Sequence, residues 1–451
     1  FSAVDSIVLR ELPYHEPSRL VTLSFGAGQS ISKATLESGA DPVFIRHKGA
    51  YYLFLTMADG YWRSTDLVRW KFVTPSRWPF EGMVAPGAWS DGERLYLMAS
   101  SYEPKALLYS DDPASGQLEF LRRRMPDLPT AMPIGQEEYL KPGRIPPGPW
   151  DPGLFKDDDG QWYMYWGSSN VFPLYGIAIE FRDGRLIYQG KPKKMLGMVP
   201  EQHGWERFGQ DHCACWGPGR PSPSYMEGAW MTKVRGRYYL QYGAPGTEFN
   251  VYGDGAYISD GPLGPYEHMP NSPFSYKPGG FINGAGHSST VKGPGGSYWH
   301  FATMSNPINV RWERRIGMFR TYFDEEGLMY SDTYFGDYPH YVPTAEKAGE
   351  FTGWMLLSYG KPVKVSSVFE DYAAERLVDE NIESFWIAQE NNKEQWIEID
   401  LEEVSNINAL QINFNDYKSD MYGRIPGLYH QYTVEVSKDG KQWEVLVDKS
   451  E

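Results

Sequence analysis

One phrase recurs five times along the chain, and it restricts the fold more than any other feature. Glu227 opens EGAWMTKVRGRYYLQYG: a carboxylate, a short strand-like run, a charged turn containing Gly236, and an aromatic strand from Tyr238 to Tyr242. Asp41 opens DPVFIRHKGAYYLF, Asp151 opens DPGLFKDDDGQWYMYWG, and His287 opens HSSTVKGPGGSYWHFA. In each, the aromatic strand begins ten or eleven residues after the opening polar residue. A looser copy, APGAWSDGERLYLMAS, starts at Ala85. Each copy reads as strand, tight turn, strand. One hairpin per unit, at a period of roughly 45 to 75 residues, marks a propeller or array. Further strands follow and end in Ser-Asp phrases, as at Ser110-Asp111 and Ser259-Asp260. Four strands per unit around an axis make a propeller blade, so an all-β, five-bladed propeller is expected.

The first strand of a propeller blade is innermost, so the residue opening each copy is expected at the mouth of the central channel. Asp41, Asp151, Glu227 and His287 then converge, while blade two brings only Ala85 to Gly87. Three acids at one narrow mouth repel one another, and at least one acquires a raised pKa. That arrangement adds little stability, but it supplies an acid and a base. The alternative is that each acid satisfies backbone donors at a strand start; three acids around one axis argue against it.

At 451 residues the chain exceeds one ordinary core, so two domains are expected. Aromatic residues make up 16%, with 47 Gly and 34 Pro, which favours strands and turns over helices. Lys and Arg number 43 against 58 Asp and Glu, a net charge of −15, which disfavours nucleic acid and anionic membrane as partners, while the aromatic content is compatible with a neutral carbohydrate without singling it out. No apolar run reaches the length of a membrane span. Cys213 and Cys215, separated only by Ala214, are too close in sequence for ready disulfide geometry. A zinc site there would need more ligands than His212 adds. The chain starts at Phe1 without Met, so any signal peptide is removed or was never included; a secreted, periplasmic or cell-surface location is the expectation, though the sequence does not carry it directly.

Blade one is read from Asp41 to about Pro75, with Ser64 to Trp70 (STDLVRW) as an outer strand ending in an aromatic plug. Blade two runs from Ala85 to Arg124, blade three from Asp151 to Gly190, blade four from Glu227 to Tyr266, and blade five from His287 to Tyr330. Residues 1–40 lead into or complete the ring. Insertions at Met125–Trp150 and Lys191–Tyr225 precede Asp151 and Glu227, so they are expected to wall the mouth into a pocket. Loops after the second strands offer Tyr61, Trp62, Tyr102, Asn170, Phe172, Thr247, Phe249, Asn250, Asn306 and Arg311 as candidate substrate contacts. Trp89, Trp216 and Tyr225 are candidate sugar platforms, with blade packing as the alternative for each. After about Thr344 the character changes, and alternation over Trp396 to Leu401 with a hairpin at Lys438-Asp439-Gly440-Lys441 predicts a β-sandwich. The domains are thus read as 1–345 and 355–451.

The propeller resembles glycoside hydrolase family 43 over roughly residues 30 to 335. The phrases that carry the resemblance are DPVF at Asp41, STDLVRW at Ser64, DPGLFKDDDGQWYMYWGS at Asp151, EGAW at Glu227 and GHSSTV at Gly286, in order. The resemblance implies a five-bladed propeller that hydrolyses glycosidic bonds with inversion, mostly removing arabinofuranose or xylose, sometimes galactose-type sugars. It implies Asp41 as general base, Glu227 as general acid, and Asp151 as the residue that orients and tunes the acid. No cofactor is required for that chemistry. His287 matches a histidine near a bound calcium or water in the family; calcium prefers oxygen, so His287 would reach it only through water, and a structural or polarising role is favoured. In blade two the family often has Trp before Ala-Pro and Asp after it; here they are Val84 and Gly87. The tail resembles a discoidin-like (coagulation-factor type C) sandwich, related to carbohydrate-binding module family 32, through Val365-Ser366-Ser367, Asp379 to Trp386 and Trp396 to Leu401. The usual Gly and Thr of its Asp-to-Trp motif are Glu380 and Ser384, and such modules usually run longer than the roughly 90 residues here.

Overall fold

The structure is a computed structural model and describes residues 39–56, 58, 60–75, 84–100, 106–129, 148–183, 185–305, 313–335, 342, 354–414 and 430–451. The lead-in over residues 1–38, residues 130–147 of the first insertion, and the candidates Tyr102, Asn306 and Arg311 lie outside the described residues.

Five antiparallel sheets follow one another in chain order. Blade one holds β1 (Ala40–His47), β2 (Ala50–Thr56), β3 (Tyr61–Ser64) and β4 (Lys71–Val73). Blade two holds β5 (Gly87–Ser90), β6 (Leu95–Met98), β7 (Leu107–Ser110) and β8 (Glu119–Arg122). Blade three holds β9 (Gly153–Lys156), β10 (Trp162–Trp166), β11 (Leu174–Arg182) and β12 (Arg185–Leu196). Blade four holds β13 (Glu227–Val234), β14 (Arg237–Ala244), β15 (Gly253–Ser259) and β16 (Glu267–His268), with β17 (Ser275–Tyr276) also paired to β15. Blade five holds β18 (Asn283–Lys292), β19 (Tyr298–Ser305), β20 (Arg314–Phe323) and β21 (Met329–Ser331). The first strands β1, β5, β9, β13 and β18 neighbour one another in a ring. Between the first and last blades, Ser289 Oγ accepts from the Phe44 N–H and donates to the Pro42 carbonyl, both at 2.8 Å.

Apolar side chains fill the seams between blades. Val43, Phe54 and Val73 of blade one meet Leu95, Leu97 and Leu108 of blade two. Leu107 meets Leu154, Met164 and Ile177 at the next seam, and Phe155 and Tyr165 meet Met231 and Leu240 at the one after. This is why the second strands read as continuous apolar runs: AYYLFLT in β2 is buried along its whole length, because each sheet is covered on both faces. The blade-two departure from the family pattern has a packing correlate, since a Cβ on Gly87 would lie 2.2 Å from the Pro152 carbonyl oxygen of the next inner strand.

Two local expectations change. The phrase STDLVRW is a turn between β3 and β4, not an outer strand: Asp66 Oδ1 accepts from the N–H groups of Val68 and Arg69, and Leu67 is left-handed at φ 62°. Ser64 closes the third strand of its blade, as Ser110 and Ser259 close theirs. Trp70 does pack into the seam, 6.5 Å from Phe44 and 5.9 Å from Phe301. Cys213 and Cys215 form a disulfide, because Ala214 at φ 57° turns the chain and brings the two Cα atoms to 5.2 Å. His212 is engaged elsewhere, with Nε2 2.9 Å from the Tyr276 hydroxyl.

The tail is also β, with antiparallel pairs β22 (Val363–Val365) with β23 (Ile397–Ile399) and β24 (Tyr432–Ser437) with β25 (Trp443–Lys449). Its Asp-to-Trp motif forms a turn in which Glu380 takes the left-handed position at φ 59° and the Ser384 hydroxyl donates to Asp379. The Ile382 N–H donates to the Phe281 carbonyl of the propeller at 3.2 Å.

Candidate active site

Each inner strand is entered through a left-handed residue: Asp41 at φ 51°, Ala85 at 40°, Asp151 at 46°, Gly228 at 71° and His287 at 43°. Non-glycine residues pay to adopt this conformation, and such strain gathers at functional sites. The hairpin register shows that Glu227 does not stand where Asp41 stands. Ala40 pairs with Thr56 and Val43 with Phe54 across one bulge. Glu227 pairs with Gly243 and Trp230 with Gln241 across the matching bulge. In blade five, Gly286 pairs with Thr303 and Ser289 with Phe301. Gly228 is therefore the counterpart of Asp41 and His287, and the acid of blade four leaves the chain one residue earlier. Its extra methylene helps it reach the same mouth.

Gly228 is needed twice over. Its φ is +71°, and a Cβ there would meet His287 Cδ2 at 2.7 Å and Cγ at 2.8 Å. Gly228→Ala is expected to cost ~1–3 kcal/mol of stability from backbone strain and overpacking. It should also lower activity by displacing His287, which a denaturation midpoint and a rate measurement would separate.

The structure brings Asp41, Asp151, Glu227 and His287 together. His287 Nδ1 lies 3.3 Å from Asp41 Oδ1 and 3.9 Å from Asp151 Oδ2. One donor atom each from Asp151, Glu227 and His287 fall within 4.8 Å of one another. Asp41 accepts from Thr56 Oγ1 at 2.5 Å and from Arg314 Nη1 at 3.3 Å, and its N–H donates to Thr303 Oγ1 at 2.8 Å. Asp151 accepts from Ser100 Oγ at 3.1 Å, while its Oδ2 is buried with no hydrogen-bond partner among the described residues. Glu227 accepts from the Tyr252 hydroxyl at 2.5 Å on Oε1 and from Ser168 Oγ at 3.3 Å on Oε2.

These surroundings push the three acids apart. For Asp41, burial favours the neutral form, but Arg314, His287 and the Thr56 hydroxyl outweigh it and hold the carboxyl below its usual range. For Asp151, burial dominates; with repulsion from Glu227 and Asp41 it outweighs His287 and raises the carboxyl to about 7. Glu227 is also raised, by burial first and then by the Asp41 charge, against His287 and the Tyr252 hydrogen bond. Burial works against the His287 cation, but Asp41, Asp151, Glu227 and Asp254 together raise its pKa. Two cations thus balance two anions when Asp151 and Glu227 share one proton.

The donor set does not match calcium, which takes six to eight oxygen ligands. Here an imidazole stands among the carboxylates, and Arg314 and His287 already supply positive charge. His287 instead faces the acids with Nδ1 3.3 Å from Asp41 Oδ1, and their charges favour its protonated form.

The aromatic candidates divide. Trp89 packs in the seam between blades two and three, its ring 5.8 Å from Phe155 and 6.5 Å from Trp162, so it is blade packing rather than a sugar platform. Phe249 is only 3% exposed, wedged 4.6 Å from Phe208, and cannot offer a face to a sugar. Tyr61 and Trp62 lie buried on β3 rather than in a loop. Phe172 packs on the seam of blades two and three, and Asn250 Nδ2 donates to Asp211 at 2.8 Å, pinning the second insertion. Trp216 stays 45% exposed on that insertion, backed by Phe208 at 4.6 Å and Phe249 at 5.8 Å. Asn170 is exposed two residues beyond Ser168. Tyr225 reaches the acid through Ser168, 2.8 Å from its hydroxyl. Thr247 Oγ1 lies 3.5 Å from Arg314 Nη1.

Arg314, Thr56, Ser100, Ser168 and Tyr252 were not read as site residues. One signal for the hydroxyls was available. Ser or Thr stands within two residues of the end of the second strand in four blades: Thr56, Ser100, Ser168 and Thr303. The first three donate to the carboxylates of Asp41, Asp151 and Glu227, and Thr303 accepts from the Asp41 N–H.

Residues 135–329 match the family model described as glycosyl hydrolases family 43, and residues 362–451 match that of the F5/8 type C domain. Over residues 135–329 this chain is thus similar to family 43 glycosyl hydrolases. The chain is 25% identical over 134 residues to a beta-xylosidase from Xylanibacter ruminicola, covering 26% of this chain and 39% of the relative. It is 25% identical over 179 residues to a beta-D-galactofuranosidase from Aspergillus niger, covering 39% of this chain and 44% of the relative. The chain thus spans less than half the length of these curated relatives. Among solved structures, a thermostable family-43 glycoside hydrolase has a TM-score of 0.49 at 20% identity, covering 66% of this chain and 93% of that one. An alpha-L-arabinofuranosidase from Clostridium thermocellum has a TM-score of 0.44 at 18% identity, covering 65% and 93%.

Proposed function

We propose that this protein is an exo-acting, inverting glycoside hydrolase that removes arabinofuranosyl or xylosyl residues from neutral plant saccharides. The observation that carries the reading is the opposed protonation of two acids at one mouth. Asp41 is held ionised by Arg314 and Thr56, while Glu227 is pushed toward its neutral form. Hydrolysis with inversion needs this division: a carboxylate that takes a proton from the attacking water and a carboxylic acid that gives one to the leaving oxygen. Asp41 is the base in this reading, Glu227 the acid, and Asp151 the neighbour whose charge sets the acid's proton. The second insertion, pinned by Asn250 and the Cys213–Cys215 bridge, supports a pocket rather than an open cleft. Arg314 and His287 fill the mouth with charge already neutralised, which suits an uncharged sugar.

The test is a panel of aryl glycosides, with proton NMR of the first product formed. Release of the inverted anomer from an arabinofuranoside or xyloside supports the proposal; binding without turnover would leave a sugar-binding propeller instead. The longer of the two curated alignments is with a beta-D-galactofuranosidase, so β-D-galactofuranosides belong in the panel.

Asp151→Asn provides a pH test. Glu227 raises Asp151, and coupling between two charges is reciprocal, so Asp151 helps hold the proton on Glu227. Removing its charge lowers the pKa of the acid. The alkaline limb of the rate profile should move to lower pH, with the acid limb much less affected.

A further inference from the structure

We infer that Ser168 and Tyr225 form a two-hydroxyl relay that keeps the acidic proton of Glu227 on Oε2 and returns it after each turnover. This rests on the reading of Glu227 as general acid. Tyr252 stands 2.5 Å from Oε1. Burial, then the charges of Glu227 and Asp41, suppress ionisation of its phenol, so Tyr252 remains a donor. Oε1 is therefore an acceptor in both states of the acid, and the proton belongs on Oε2.

Oε2 faces Ser168 Oγ at 3.3 Å, and Ser168 Oγ lies 2.8 Å from the Tyr225 hydroxyl. Each hydroxyl both donates and accepts, so the chain runs in two directions. With Glu227 protonated, Oε2–H donates to Ser168 and Ser168 to Tyr225. With Glu227 ionised, Tyr225 donates to Ser168 and Ser168 to Oε2. The contact at Oε2 is long for a hydroxyl hydrogen bond, which lets a leaving oxygen take the place of Ser168 as acceptor. Tyr225 is partly exposed at the end of the second insertion, and its N–H is held by the Pro245 carbonyl at 3.2 Å. Its partial exposure makes Tyr225 the end of the pair nearer to solvent in this proposal.

The protons balance over a cycle. The Oε2–H bond breaks and its proton joins the leaving oxygen, which keeps the electron pair of the glycosidic bond. The attacking water forms the new bond to the anomeric carbon and gives its proton to Asp41. Asp41 then releases a proton to solvent. Tyr225 takes one from solvent water, Ser168 takes one from Tyr225, and Oε2 takes one from Ser168. The charged and titratable groups around Glu227 are Asp41 from β1, Asp151 ahead of β9, Asp254 from β15, His287 from β18, Arg314 from β20 and Tyr252 ahead of β15; the Ser168–Tyr225 contact is direct and includes none of them.

The experiment compares Ser168→Ala, Ser168→Thr, Tyr225→Phe and the Ser168→Ala/Tyr225→Phe double variant, with Glu227→Gln alongside, on alkyl and activated aryl glycosides. Folding is checked by circular dichroism, and Ser168→Thr keeps the hydroxyl should Ser168→Ala fail to fold. Losing a hydrogen bond to an ionising group should lower kcat on the alkyl glycoside roughly ten- to a hundredfold, with little effect on the activated substrate. Ser168→Thr should restore most of it, and the double variant should be no worse than the poorer single one, because both act through one chain. Tyr252→Phe should instead move the alkaline limb to higher pH, since its hydrogen bond lowers the pKa of Glu227. Losses that multiply in the double variant, or that fall equally on both substrates, overturn the relay. If Glu227→Gln itself affects both substrates equally, the acid assignment has failed; if it keeps its leaving-group dependence while Ser168→Ala shows none, only the relay has.

Discussion

Glu227→Gln is expected to slow hydrolysis of glycosides with poor leaving groups by about two to four powers of ten, the scale of general acid catalysis. Gln keeps the carbonyl oxygen that accepts from Tyr252 and places its amide beside Ser168, which has a lone pair to receive it. The pocket should therefore keep its shape while losing its proton. A nitrophenolate leaves without help, so the loss should shrink on nitrophenyl glycosides. Paired rate measurements on an alkyl and a nitrophenyl glycoside give the check. Equal losses on both would assign Glu227 to positioning rather than proton transfer.

Asp41→Asn is expected to slow both substrate types alike, by about two to four powers of ten, because water must be activated whichever group leaves. Asn still accepts from Thr56, so the hydrogen-bonded frame survives. The charge does not. Arg314 then loses the carboxylate it pairs with, and His287 loses the first of the charges that raise its pKa. A titration of the His287 ring by NMR should show the imidazole giving up its proton at lower pH in the variant. If Asp41→Asn spared nitrophenyl substrates as Glu227→Gln does, the two roles would be exchanged.

The differences between these variants arise from neighbours far apart in the chain. Arg314 lies 273 residues from Asp41 and helps hold its carboxyl below the usual range. Tyr252 and Ser168, 25 and 59 residues from Glu227, divide the two oxygens of the acid. Asp254 adds a further buried carboxyl, raised to about 7 by burial, behind the His287 backbone and the Ser288 hydroxyl.

What the sequence determined by itself was local and periodic. Hairpins with a polar opener, a turn and an aromatic strand recur because every blade solves the same problem of a sheet covered on both faces, and this alone predicts five blades and a shared mouth for Asp41, Asp151 and Glu227. Tertiary structure decided what periodicity cannot carry. Both hairpins carry the same bulge, and only their paired register shows that Gly228, not Glu227, stands at the position of Asp41. Trp89 reads as a platform and Phe249 as a substrate contact because an aromatic near a mouth looks the same whether its face is open or packed; only the tertiary packing shows both covered. Cys213 and Cys215 pair because Ala214 is left-handed, a backbone state its side chain does not announce. The protonation of the acids, finally, depends on burial and on charges from other blades, and both exist only once the ring has closed.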